Sequence, residues 1–313
     1  MPRTAKTARR VTLRDVAQAS GVSPSTVSFV LNEVPNQTIP EQTRQRVREA
    51  ARKLGYVPNG IARALMEGSS RIVVLNIPRA REGNYSRHFI RGLDRELAVH
   101  GFALLVRHGR TAPRDVRQIL DVISPRAVLS FGEVYLNGHQ HEDSGGGFSN
   151  GMAAHVLLQL SYLLKHGHRH VVLGLPPEEP LAQARLGLAN EVTGMLGTPP
   201  VVPAVIPELP ADAASVLSQL RVDCPEITAL AAFDDLTALR TLNALRLLGL
   251  RAPSDLAVIG FDESEYAAIS TPGLTTLLAD AEGHGRLAAR RALALSTDDV
   301  PVQLGRIVER ESV

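Results

Sequence analysis

With 313 residues, 44% of them apolar, the chain is long enough for two or three domains and ordinary in composition for a globular protein. No stretch reaches the roughly 18 uninterrupted apolar residues of a helical membrane span, and a single cysteine, Cys224, excludes both an intramolecular disulfide and a multi-cysteine metal centre. The formal net charge of +2 hides an asymmetry, because residues 1–71 carry 12 Lys and Arg against 5 Asp and Glu while the remainder is mildly acidic. A basic front on an acidic body points to a polyanionic partner, since displacing phosphate counterions supplies sequence-independent affinity. The opening "MPRTAKTARR", residues 1–10, reads as a flexible basic arm. No apolar segment follows it as a secretory signal requires, so a cytoplasmic, nucleoid-associated location is expected.

Thr12 and Asp15 stand at the spacing of a capping box, and Leu13, Val16 and Ala17 repeat at i, i+3, i+4, which predicts a helix with one apolar face. Gly21 is placed to end it in the left-handed conformation, and Ser23 with Pro24 supplies the N-cap and N1 proline of a second helix. A connection of about three residues is that of a helix-turn-helix. In the second helix Val27, Val30 and Leu31 form the buried stripe, leaving Pro24, Ser25, Ser28, Phe29 and Asn32 on the opposite face. Hydroxyls and an amide bond phosphates or base edges, and Phe29 either touches a thymine methyl in the major groove or packs against a neighbouring helix. A third helix is expected from Pro40 to Leu54, with Val47, Ala50, Ala51 and Leu54 on one side and Gly55 as its stop. The short segment "NGIARALMEGSS", apolar at Ile61, Leu65 and Met66, is marginal as a helix on its own.

"TLRDVAQASGVSPSTVSFVLN", "TRQRVREAARKLGYVPN" and "ARALMEGSS", in that order and spacing, resemble the DNA-binding headpiece and hinge of the lactose-repressor (LacI/GalR) family of bacterial transcription regulators. The resemblance implies a headpiece over 11–57 and a hinge helix or linker over 58–70. It also implies DNA contacts from Thr12, Ser23, Pro24, Ser25, Thr26, Ser28, Phe29, Asn32, Asn59, Arg63, Leu65 and Met66. Leu65 matches the family's hinge leucine, which wedges into the minor groove at the operator centre; an apolar side chain there unstacks a base step and kinks the duplex. Met66 stands where several members carry a basic residue. Pro24, Ser25 and Phe29 occupy positions that the family varies between operators, and Phe29 cannot make the bidentate bond to guanine that an arginine makes.

After Arg71, short apolar runs alternate with helical stretches. "RIVVLNI", "FALLVRH", "RAVLSF", "HVVLGL", "VVPAVI", "TALAAF" and "LAVIGF" read as buried strands, with helix patterns near 86–100 and 113–123 among those between them. That alternation predicts doubly wound α/β layers with parallel sheets. The resemblance extends over 71–313, most closely in the segment from "ALAAFDD" to "LAARRAL" and in "RIVERES". It implies an effector-binding and dimerisation domain like periplasmic sugar-binding proteins: two α/β lobes joined by crossing segments, with a ligand between them. The full expectation is thus an all-α helix-turn-helix headpiece followed by a two-lobed periplasmic-binding-protein-like domain.

Between Phe131 and Asn150 the chain departs from that pattern: "GEVYLNGHQHEDSGGGFS" takes the place of a helix and strand, so the first lobe is expected to be abridged near 132–150. For the effector, the resemblance implies Arg185, Asp234, in place of a usual asparagine, and Asp262. A guanidinium fork and carboxylates suit polyol hydroxyls. At each position a salt bridge or helix cap is the alternative, and capping of the following helix is the stronger reading for Asp235. Leu188 stands where the family has a glycine. Tyr85 either stacks on a ligand or covers the cleft.

His139, His141 and Asp143, or His166, His168 and His170, lack the helix-borne spacing of a metal site, and "SGGGF" lacks the lysine of a phosphate loop. No nucleophile elbow appears and no acid, base and nucleophile set assembles from spacing. The expectation is a homodimeric transcription regulator, a repressor, without enzymatic activity, cofactor or metal. Its partners would be a palindromic double-stranded DNA operator, a second copy of itself and a sugar-like effector, with no membrane. A regulator that has lost small-molecule control, and a sugar-binding module without a DNA role, are the alternatives.

Overall fold

The computed structural model describes residues 11–32, 37–56, 64, 68–77, 83–108, 117, 120–131, 151–177 and 182–313. It divides into two compact units, Met1–Arg71 with Arg117–Arg126, and Ile72–Val116 with Ala127–Val313.

In the first unit, helix α1 runs over Leu13–Ser20, α2 over Pro24–Leu31 and α3 over Glu41–Leu54. The capping box forms: the Thr12 side chain accepts from the Asp15 N–H, and the Asp15 carboxylate accepts from the Thr12 N–H at 2.7 Å. Gly21 and Gly55 end α1 and α3 with φ of 65° and 66°, the left-handed turn that only glycine adopts without strain. Pro40 is the N-cap of α3 rather than its first residue. Three short helices that are marginal singly share one core of Val16, Ala17, Val27, Val30, Val47, Ala50 and Ala51. Burial of that stripe, more than helix propensity, holds the unit together.

In the second unit the elements are β1 (Ile72–Ile77), α4 (Asn84–Val99), β2 (Ala103–His108), β3 (Ala127–Ser130), α5 (Gly151–Lys165), β4 (Val171–Leu175), α6 (Ala182–Leu196), β5 (Val202–Val205), α7 (Pro210–Asp223), β6 (Ala229–Ala232), α8 (Asp235–Leu247), β7 (Ala257–Ile259), β8 (Thr276–Leu278), α9 (Ala281–Ala292) and β9 (Arg306–Val308). All seven expected strands are present, but β2, β3 and β5, expected to be buried, keep exposed residues including Leu105, Val128 and Val205. One sheet is ordered β2-β1-β3 and another β5-β4-β6-β7, each parallel throughout. β8 and β9, which hydrophobic alternation does not announce, form an antiparallel pair beside them.

Strands β4, β6 and β7 are buried along their whole length, as parallel strands covered on both faces must be. Leu173 faces a core that also takes in Val73 and Leu75 of β1, whereas its neighbour Val172 faces a second core with Leu217 of α7 and Leu245 of α8. After β8 the chain returns to the first lobe, where α9 packs on α4. They meet backbone to backbone: a Cβ on Gly92 would strike the Glu282 carbonyl, and one on Gly285 the Phe89 carbonyl. The result is two α/β lobes joined by crossing segments. The stretch 132–150, where the first lobe was expected to be abridged, lies outside the described residues.

Candidate nucleic-acid interface and interlobe site

The start of α2 gathers hydroxyls. Ser23 Oγ accepts the Thr26 N–H at 3.1 Å and lies 2.8 Å from both Ser25 Oγ and Thr26 Oγ1. These groups sit where unpaired N–H donors and the helix dipole favour an anion. Pro24 and Ser25 are exposed and Thr26 is half-buried. At the other end the Asn32 amide donates to Ser28 Oγ at 3.1 Å. Phe29 is half-buried, and among the described residues the rim of the headpiece core is built by Val11, Leu13, Val22, Leu31, Ile39 and Tyr56, without it. Thr12 is exposed, with its hydroxyl held in the capping box. Arg44 donates to the carbonyls of Ile39 at 3.2 Å and Gln37 at 3.0 Å, which fixes the approach to α3. Asn59, Arg63, Leu65 and Met66 lie outside the described residues.

The residues expected at the effector site converge where the two lobes meet, but their polar atoms face protein. Arg185 on α6 is 1% exposed. Its guanidinium donates to the Phe233 carbonyl at 2.7 Å, to Gln159 Oε1 at 2.9 Å and to the Ala232 carbonyl at 3.2 Å. Its Cζ lies 5.0 Å from the Phe233 ring centre and 4.8 Å from that of Phe261, within cation–π range. Gln159 on α5 completes the knot by donating to the carbonyls of Ala232 and Gly260, each at 3.0 Å. The C-terminal ends of β6 and β7 are thereby tied to two helices.

The aspartates divide the work differently from the sequence expectation. Asp234, not Asp235, caps α8, its carboxylate accepting the Thr237 N–H at 2.7 Å. Asp235 follows inside the helix, is 2% exposed, and accepts the Thr276 hydroxyl at 2.5 Å and the Ser264 N–H at 2.6 Å. Burial raises its carboxyl above the usual range. Either aspartate has the chemistry of a cap, and the extended backbone of Asp234 gives it the role expected of Asp235.

Asp262 reaches across to the first lobe. Its carboxylate accepts the backbone N–H groups of Asn84 and Tyr85 at the start of α4, where the N-cap Gly83 has no side chain to offer. The Asn84 amide donates back to the carbonyls of Asp262 at 3.0 Å and Glu263 at 2.9 Å. The reciprocal contact holds Asp262 at φ 120°, a conformation rare for a side-chain-bearing residue. Burial, then the nearby Asp235 charge, push the Asp262 carboxyl well above its ordinary range.

Tyr85 is 8% exposed, and its hydroxyl is paired with His284 Nδ1 at 2.8 Å. Its ring meets Phe89, Phe131, His155 and Phe261 at centroid distances of 6.0–6.5 Å. His155 and His284 lie 5.7 Å apart. Burial drives the His155 imidazole down to about 3, with His284 and Arg185 adding to the effect, and drives His284 down to about 4. Both rings are neutral at ordinary pH.

Gln159, His155 and His284 were not among the expected site residues. A signal existed: His155 and Gln159 interrupt the most apolar run of the chain four residues apart, which puts both on one helix face turned inward. A cavity of about 340 Å³ lined by Leu217, Leu220, Arg221, Cys224, Leu245 and Leu256, among others, lies at the opposite, N-terminal ends of β4 and β6.

Comparison with known proteins matches residues 12–59 to the model of the bacterial regulatory proteins of the lacI family, and residues 160–313 to that of the periplasmic binding protein-like domain. The HTH-type transcriptional repressor CytR of Escherichia coli strain K12 is 26% identical over 293 residues, 85% of this chain and 84% of that protein. The ribose operon repressor of Bacillus subtilis strain 168 is 26% identical over 301 residues, 91% of each chain. The lac repressor dimer, solved bound to operator and the anti-inducer ONPF, superposes with a TM-score of 0.71 over 97% of this chain and 99% of that one, at 20% identity, a likeness of fold.

Proposed function

We propose that the chain is a lacI-family, sequence-specific DNA-binding transcriptional repressor, acting as a homodimer on a two-fold symmetric operator. The observation that carries this reading is a capped helix-turn-helix unit, basic overall, whose second helix presents hydroxyls and Phe29 away from its core. Two headpieces place their second helices in successive major grooves, with the hydroxyl cluster at Ser23, Ser25 and Thr26 on phosphates and Ser28, Phe29 and Asn32 towards base edges. Leu65, from a hinge that pairs between the copies, enters the minor groove. We assign 11–57 to the headpiece, 58–70 to the hinge and 71–313 to the effector-binding and dimerisation domain. A cytoplasmic, nucleoid-associated location and a regulatory rather than enzymatic role belong to the same proposal, supported by the likeness to transcriptional repressors.

Selection of bound sequences from a random duplex pool by the full-length protein tests this. Enrichment of a palindrome is expected; enrichment of nothing by a folded dimer, with and without cell metabolites, would remove the reading.

A further inference from the structure

Protein interiors keep few voids larger than a water molecule, yet the second lobe holds a cavity of about 340 Å³, within the roughly 300–1,000 Å³ of small-molecule sites. It lies at the N-terminal ends of β4, β6 and β7, where the Thr228 N–H meets the His170 carbonyl and the Ala257 N–H meets that of Thr228. Ligands of open α/β sheets sit at the carboxyl ends of the strands, so this cavity is separate from the interlobe site. Its floor is apolar: Val172 of β4, Leu217 of α7, Leu245 of α8 and Leu256 are each 6% exposed or less.

The rim carries charges of both signs. Arg221, in the last turn of α7, and Asp255 both line it and both are exposed. Among the described residues neither makes an ion pair, with the other or with a third group. Asp255 Oδ2 accepts the Arg251 N–H at 2.8 Å, which orients the carboxylate and leaves Oδ1 open. The C-terminus of α7, on the same rim, adds the partial negative charge of a helix end.

We propose that this cavity is a binding site for a free α-amino acid with a branched or aromatic apolar side chain. The side chain rests on Val172, Leu217, Leu245 and Leu256, the carboxylate meets the Arg221 guanidinium, and the ammonium meets Asp255. A simple anion would face Asp255 and the helix end as well as Arg221, and an uncharged apolar guest would use neither rim charge; a zwitterion matches both. A sugar would bury hydroxyls against four side chains that cannot bond them. All these contacts belong to one lobe, so the site stands apart from the repressor reading and is testable without DNA.

Cys224, the C-cap of α7 and the sole cysteine of the chain, lines the cavity and is half-buried, which makes it a reporter of occupancy. Full-length protein is labelled with a thiol-specific disulfide reagent, and separately melted, with leucine, isoleucine, phenylalanine or tryptophan. Glycine, 4-methylpentanoate and 3-methylbutylamine serve as the analogues lacking the apolar part, the ammonium and the carboxylate. At about 10 mM, at least one of the four amino acids is expected to slow labelling severalfold and to raise the melting temperature by a few degrees. The three analogues should do neither. Arg221→Gln and Asp255→Asn, at exposed positions, should melt as the wild type does and lose the response. A melting temperature unmoved by all four amino acids overturns the proposal, whatever the labelling rate. An equal response to 4-methylpentanoate or 3-methylbutylamine, or an undiminished response in either variant, contradicts recognition of a zwitterion and overturns it as well.

Discussion

Replacing Arg185 with alanine separates a ligand-holding arginine from one that holds the fold. The substitution removes the donors to the Phe233 carbonyl and to Gln159 Oε1, while the Ala232 carbonyl keeps its bond from Gln159 Nε2. Each buried acceptor left without a partner costs about 1–3 kcal/mol, and lost contact with the Phe233 and Phe261 rings adds about 1 kcal/mol. Release of a guanidinium that folding had stripped of water offsets part of this. The expected net loss is about 3 kcal/mol. Chemical unfolding in urea, followed by circular dichroism because the chain has no tryptophan, reads it as a lowered midpoint. Arg185→Lys should fall between the two, since one ammonium cannot reproduce the planar fork that spans both acceptors. An unchanged midpoint in Arg185→Ala, accompanied by loss of a sugar response present in the wild type, would refute the reasoning and return Arg185 to ligand binding.

Acid should weaken the second unit in a defined window. His155 and His284 stay neutral when folded down to about 3 and about 4 but take up protons near 6.5 in the unfolded chain. The unfolded state therefore binds more protons below that value, and stability falls with pH until those low values are passed. Between about pH 7 and pH 5 the two together cost about 4 kcal/mol; a flat unfolding profile over that range contradicts their buried neutral state. Gly285→Ala forces α9 off the Phe89 carbonyl, and overpacking of this kind costs about 1–3 kcal/mol; a melting temperature equal to the wild type's shows that the helices are not in backbone contact. Phe29→Ala should leave headpiece unfolding unchanged and relax base preference at one position of each half-site, as site selection will show; lowered stability with the same preference assigns Phe29 to packing. Leu65→Ala should bind operator more weakly at unchanged fold, and equal titration curves remove the wedge.

The headpiece was legible almost residue by residue because its signals are local. A capping box, an N1 proline and two left-handed glycines each act within one turn of chain, and Thr12, Ser23, Gly21 and Gly55 all do in the structure what their spacing announces. Strands β4, β6 and β7 were legible because a buried parallel strand reads as a continuous apolar run; β2, β3 and β5 read the same way in the sequence but keep exposed positions such as Leu105, Val128 and Val205. The interlobe site was not legible. Whether Arg185 meets a ligand or the Phe233 carbonyl depends on Gln159, 26 positions away, and on the path of β6, 48 positions away. The role of Asp262 depends on a helix N-terminus 178 positions earlier. Such pairings arise from how the layers fold over each other, and no spacing along the chain encodes them. Asp235 shows the same limit at short range, since choosing between adjacent aspartates as the cap required the backbone angle of Asp234.

The most direct measurement is an equilibrium titration of full-length protein into a labelled duplex carrying the selected two-fold symmetric site, beside the same duplex with one half-site scrambled. A dimer reading both halves through α2 should bind the intact site far more tightly, because each well-matched base contact contributes about 1–3 kcal/mol of discrimination. Equal affinity for the two duplexes would contradict a repressor that reads a symmetric operator through paired headpieces.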